Sequence, residues 1–230
     1  MKALFSLRGA DFDEMRVGVA SVVRTLGPAA ATGAILFATR RHLAALARGE
    51  GSYPEPGKRR IWFKLHYLSR ICEYLRKKRE GDAIELFGSI LEGPTLRFIG
   101  HVIPPSECLT RDYVLHQLWP EMIDRDYNIE AEACSPSGTS VSLKVRRCFI
   151  NEVARDVGLM PVADRICSGD FRFWEGYHPR LRFSRTQTLL AGDPLCDHTL
   201  TWLDQTGVDE GSNHINRLES IEAVSQESEV

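Results

Sequence analysis

The stretch RLRFSRTQTLLAGDPLCDHTLTWL, from Arg180 to Leu203, decides how the chain is read. Two runs of strand-forming residues flank Ala191-Gly192-Asp193-Pro194, a cluster of turn formers, so the segment reads as a β-hairpin. With a four-residue connection, Leu190 faces Leu195 and Leu189 faces Cys196, and the two-residue period of a strand sets every other pair. Arg185, Gln187 and Leu189 then share a face with Cys196, His198 and Leu200, while Thr186, Thr188 and Asp197 occupy the other face. A one-residue slip would instead bring Asp197 to the arginine.

Upstream, TSVSLKVRRCFI alternates as a strand that ends near Cys148 after the turn-like SPSG. NEVARDVG reads as a short helix stopped by Gly158, and PVADRICSGDFRFWEG reads as a second helix. The N-terminal half has a different texture. Asp11 to Arg48 is alanine-rich and helical, interrupted at Gly27-Pro28, and GEGSYPEPGKRR is a linker. Ile61, Leu65, Leu68, Cys72 and Leu75 recur at steps of four and three, which makes the next segment an amphipathic helix with a basic, solvated opposite face. His66 on that helix has no obvious partner. A third helical region from about Arg111 to Ile123 is capped by Thr110 and disturbed by Pro120. The expected class is α+β, with a helical N-terminal half packed on a small antiparallel sheet with helices. One domain is expected over 1–203, helical over 1–130 and α/β over 131–203, followed by a disordered acidic tail over 204–230.

The composition is that of an ordinary globular protein, 43% hydrophobic and 26% charged. From Asp204 onward there are seven acidic residues and one arginine, so −6 of the charge sits in the tail and the body carries +4. That excess is too small for a nucleic-acid partner. The longest apolar stretch, GPAAATGAILFA, is too short to span a bilayer, and no export signal develops, so neither a membrane nor export is expected. The six cysteines, at 72, 108, 134, 148, 167 and 196, form no compact framework and read as reduced thiols in a cytoplasm.

The chemistry concentrates in the hairpin. If the face with Leu189, Leu200 and Trp202 is buried, Arg185 needs an anion beside it, either a ligand carboxylate held in bidentate fashion or a structural Asp or Glu. Arginine near Cys196 favours the thiolate, and His198 can take up its proton or protonate a leaving group. The plainer reading makes Cys196 a small core residue and Asp193 a turn former. A competing use is a zinc site built from Cys148, Cys167, Cys196 and His198, although separations of 19, 29 and 2 residues match no compact ligand motif. No cofactor is expected.

The hairpin resembles the C-terminal signature of the L-2-amino-thiazoline-4-carboxylic acid hydrolase family, bacterial proteins with an R-T-x-T-L run followed by G-D-x-x-C-D. The matching residues are Arg185, Thr186, Thr188, Leu189, Gly192, Asp193, Cys196 and Asp197. Upstream, Cys148-Phe149 and the C-x-x-D pair Cys167 and Asp170 also resemble the family; His198 stands where an aromatic residue is expected. The resemblance implies a hydrolase that opens a small cyclic C–N/C=N substrate bearing a carboxylate. Catalytic roles then fall to Cys196, Asp197, His198 and Asp170, and substrate binding to Arg185, Thr186, Thr188 and Asp193. The alternative is a non-catalytic module that binds or senses a small carboxylate. Oligomeric state is not readable from the residues.

Overall fold

A glycine and a proline separate the first two helices. Gly27 takes a positive φ of 75° that other residues rarely adopt, and Pro28 opens the second helix, where its missing N–H leaves no partner wanting. In the computed structural model, which describes residues 9–79, 81–103, 105–124 and 129–204, these helices are α1 (Gly9–Leu26) and α2 (Pro28–Ala47). The acidic segment beyond 204, expected to be a disordered tail, lies outside the described residues.

Helix α2 buries Ala31, Ala34, Ala38 and Ala45, whose small side chains let it approach α3 (Pro56–Lys78) closely. The expected stripe is borne out: Ile61, Leu65, Cys72 and Leu75 are buried and Leu68 packs against them. The opposite face is less solvated than expected. Arg60 is buried, Lys58 donates to Glu152 at 2.6 Å, and Arg70 pairs with Glu73 at 2.9 Å. Nor does His66 stand alone, because its Nδ1 lies 2.8 Å from Nδ1 of His42.

Helix α4 (Ala83–Val102) was not anticipated. Its Gly93-Pro94 pair obscures an otherwise apolar helical run, yet the helix continues through Pro94. The helical region after Thr110 is present as α5 (Arg111–Tyr113), a wide π turn (Val114–Leu118) and α6 (Trp119–Asp124). The Thr110 hydroxyl accepts from the Tyr113 amide as a cap, and the wide turn falls just ahead of Pro120, which cannot donate within the helix.

Among the described residues the sheet has four antiparallel strands, β1 (Ile129–Ser137), β2 (Ser140–Cys148), β3 (Leu181–Ser184) and β4 (Cys196–Trp202), in the order β1-β2-β4-β3. Between β2 and β3 lie α7 (Phe149–Asp156) and α8 (Met160–Tyr177). β1 was also unread, since IEAEACSPS carries too few apolar residues to announce a strand. Val141, Leu143 and Val145 form one buried face of β2, each contributing roughly 1.5–3 kcal/mol by its burial.

Among the described residues, two apolar clusters hold the fold together. One gathers α1–α3, the first part of α4, α7 and the start of α8; the other gathers the sheet, the residues around the π turn, and the later parts of α4 and α8. Helices α4 and α8 therefore run through both clusters, and they touch most closely where Gly169 meets Thr95. A Cβ on Gly169 would lie 2.3 Å from the Thr95 methyl. Gly169→Ala is expected to lower stability by about 1–3 kcal/mol despite alanine's better helix propensity. Thr95→Ser in the same chain should restore most of the loss, as read by urea denaturation.

Candidate functional site

Strand β4 places its residues by pairing with β2. Cys196 lies opposite Val145 and His198 opposite Leu143, and directly opposed residues share a face, so both point toward the buried side. Asp197, opposite Lys144, points to the other side. The division of the Cys-Asp-His trio between two faces is as the sequence indicates.

The hairpin itself is different. Strand β3 ends at Ser184, which pairs with Thr199, and residues 185–195 form a loop in place of a strand and a four-residue turn. Side chains have taken the amides that a ladder would use. Asp197 Oδ1 accepts from the amides of Thr186 and Gln187 at 2.8 and 2.6 Å, and its Oδ2 accepts from the Thr186 hydroxyl at 2.5 Å. Asp193 accepts from the Thr188 amide at 2.8 Å, and the Thr188 hydroxyl accepts from Leu190. Gly192, with φ of 95°, supplies the left-handed residue that closes the loop. Four of the residues expected to contact substrate or catalyse, Thr186, Thr188, Asp193 and Asp197, thus spend these hydrogen bonds on shaping the loop. Burial raises the Asp197 carboxyl, but the bonds from Thr186 and Gln187 outweigh it and hold the group below its usual range.

The loop delivers Arg185 inward, with a side chain 9% exposed. The anion that its burial demands comes from the protein: Arg185 donates to Asp170 Oδ2 at 3.0 Å and to the Cys167 carbonyl at 3.1 Å. The guanidinium also lies over the Phe171 ring, 5.1 Å from its centre. His198 Nε2 is 3.4 Å from the same guanidinium nitrogen and 3.9 Å from Asp170. Since arginine can only donate, Nε2 is the acceptor and the imidazole is neutral. Burial and the neighbouring Arg185 push His198 down to about 4.

Three thiols border this group. Cys167 and Asp170 stand on one side of α8, Cys148 ends β2 at the entrance to α7, and Cys196 opens β4; their charges act on one another. Burial pushes Cys148 up to about 11 although the amides of Ile150 and Asn151 oppose it, and it raises Cys167 well above an ordinary thiol. Cys196 is 8% exposed, and its Sγ accepts from the Leu189 amide at 3.3 Å. Asp170 keeps 26% of its side-chain surface, yet burial raises its carboxyl to about 6 against the opposing pull of Arg185. An acid that titrates near neutrality beside a held thiol is the equipment of proton transfer.

The structure therefore gathers Arg185, Asp170, Cys196 and His198 with Cys148 and Cys167. Among the described residues no three His, Cys, Asp or Glu side chains are arranged to hold a metal ion, and this includes the set Cys148, Cys167, Cys196 and His198. The aromatic partners Phe171 and Phe183 were missed as site residues. Phe183 lies 5.6 Å from the His198 ring and 5.0 Å from Phe171, and its place in the β3 strand run was the available signal. No helix among the described residues is long and apolar enough to cross a membrane.

Two pH responses of opposite sign follow. Asp170, raised when folded, adds stability below its unfolded value of about 4 and loses it as pH rises through 6. Asp197, lowered when folded, adds stability above about 4 and loses it on acidification. In urea titrations from about pH 2.5 to 6.5, Asp170→Asn is expected to remove the falling component, between about pH 4 and 6, and Asp197→Asn the rising one, below about pH 4. Asp197→Asn should also cost about 1–3 kcal/mol at pH 7.

Residues 110–200 match the family model described as L-2-amino-thiazoline-4-carboxylic acid hydrolase. No curated protein and no solved structure gives a significant match. The matched segment contains every residue of the Cys-Asp-Arg-His cluster, and this part of the chain resembles that hydrolase family, which supports a hydrolase.

Proposed function

We propose that the protein is a hydrolase that opens a small cyclic amidine-like substrate bearing a carboxylate, of the 2-amino-thiazoline-4-carboxylate kind. The observation that carries this reading is the pairing of Arg185 with Asp170 beside Cys196, all within the segment that resembles the family. Arg185 is the group for the substrate carboxylate, which replaces Asp170 on the guanidinium as Asp170 takes up a proton. The protonated Asp170 is then the general acid.

The Cys196 thiolate adds to the amidine carbon, and the C=N bond becomes single. The C=N bond then re-forms as that carbon parts from the ring sulfur, which leaves as a thiol with the proton from Asp170 and opens the ring. Water then displaces Cys196 from the same carbon, giving a carbamoyl product and returning the thiol. Neutral His198, its Nε2 turned to Arg185, holds the guanidinium in line and is the base assigned to that water.

Incubation with 2-amino-thiazoline-4-carboxylate, followed by mass spectrometry for the carbamoyl product, tests the reading. Cys196→Ala is expected to reduce kcat at least ~100-fold, with the fold retained and only a small fall in melting temperature from the lost Leu189 contact. Full turnover in that variant would move the attack to water or Cys148. No turnover by the unaltered protein, with a rise in melting temperature on adding the ligand, would favour a binding module.

A further inference from the structure

The helical half contains a cleft of about 370 Å³ that the polar cluster does not use. Voids in packed interiors are few and little larger than a water, whereas small-molecule sites occupy roughly 300–1,000 Å³. Its inner wall is aliphatic, with Val22, Ile71 and Leu91 deeply buried and Ile35 partly so, contributed by α1–α4. Its mouth is apolar and open to solvent, with Val19 43% and Leu43 58% exposed.

The cleft's polar groups are brought together by α2 and α3. The Thr39 and Tyr67 hydroxyls are 3.3 Å apart, and the His42 ring lies 5.8 Å from that of Tyr67. His42 is 3% exposed and shares its Nδ1 with His66, but its Nε2 has no hydrogen-bond partner among the described residues, a state that buried polar atoms rarely keep. Burial depresses both imidazoles to about 4, so at neutral pH His42 offers an uncharged ring that can donate or accept. Lys64 also borders the cleft.

We propose that this cleft binds an aliphatic amphiphile, a hydrocarbon chain of medium length ending in one oxygen-bearing group that is received by Thr39, Tyr67 and His42. The depth of the aliphatic wall suits a chain and excludes a flat protein surface. The hydroxyl and imidazole groups suit a single polar end. This ligand is separate from the substrate of the Cys196 cluster, which is polar throughout.

The test is fluorescence of cis-parinaric acid titrated with the full-length protein, with decanol, decanoate and decane as competitors. The expected result is saturable one-to-one binding displaced by decanol or decanoate, the better competitor showing whether the polar end is neutral or charged. Tyr67→Phe should weaken binding by about five-fold, the loss of one hydrogen bond. Leu43→Glu, at an exposed position where folding is untouched, should weaken it at least ~10-fold by placing a charge at the apolar mouth. Turnover of 2-amino-thiazoline-4-carboxylate should persist in both variants, so this inference and the hydrolase reading fail separately. Absence of saturable binding, or binding indifferent to Leu43→Glu, overturns the site. Decane competing as well as decanol overturns the role of the polar end. A dimer abolished by Leu43→Glu without probe binding gives the face to a second copy and also overturns it.

Discussion

The ion pair between Arg185 and Asp170 is the constraint around which the C-terminal half is arranged. A guanidinium cannot be discharged, so once the loop after β3 turns it inward, a carboxylate must meet it. Asp170 lies on α8, and the bond therefore joins that helix to the loop that precedes Cys196. The Cys167 carbonyl takes a second N–H of the same side chain, which fixes the approach in two directions. The consequences reach the chemistry: together with burial, Arg185 keeps His198 neutral, and its pull on Asp170 opposes the rise that burial imposes on that carboxyl.

Much of this was readable because strand and helix periods are local properties. The alternation of β2, the stripe on α3, the break at Gly27-Pro28 and the cap at Thr110 all depend on neighbours within a few residues. The split of Cys196, Asp197 and His198 between two faces follows from the same two-residue period. The loop was not readable on those terms. Thr186, Gln187 and Thr188 look like strand, and only the distant carboxylates of Asp197 and Asp193 show that their amides are already taken. The partner of Arg185 lies 15 residues away on another element, and a sequence offers several candidate acids for it. Helix α4 and strand β1 escaped because Pro94 and the acidic residues of β1 mask patterns that tertiary burial overrides.

The two apolar clusters divide the labour. The sheet side and α8 carry the reactive groups, all of which lie in the segment that resembles a hydrolase family, whereas the helical side carries the apolar cleft. Helices α4 and α8 connect them through a contact that admits no side chain at position 169. Ile166, in the cleft wall, and Asp170, in the ion pair, are one turn apart on α8, so the two regions share a single rigid rod.

The loop from 185 to 195 is held by carboxylates and a thiol at its base, while Gln187 and Ala191 face solvent. Gln187 is anchored through its backbone amide alone, which leaves its side chain, like that of Ala191, for display. For protein engineering this makes the loop a fixed frame with interchangeable fittings: side chains at 187 and 191 can be varied to reshape what meets an incoming molecule, without disturbing the bonds that give the frame its form.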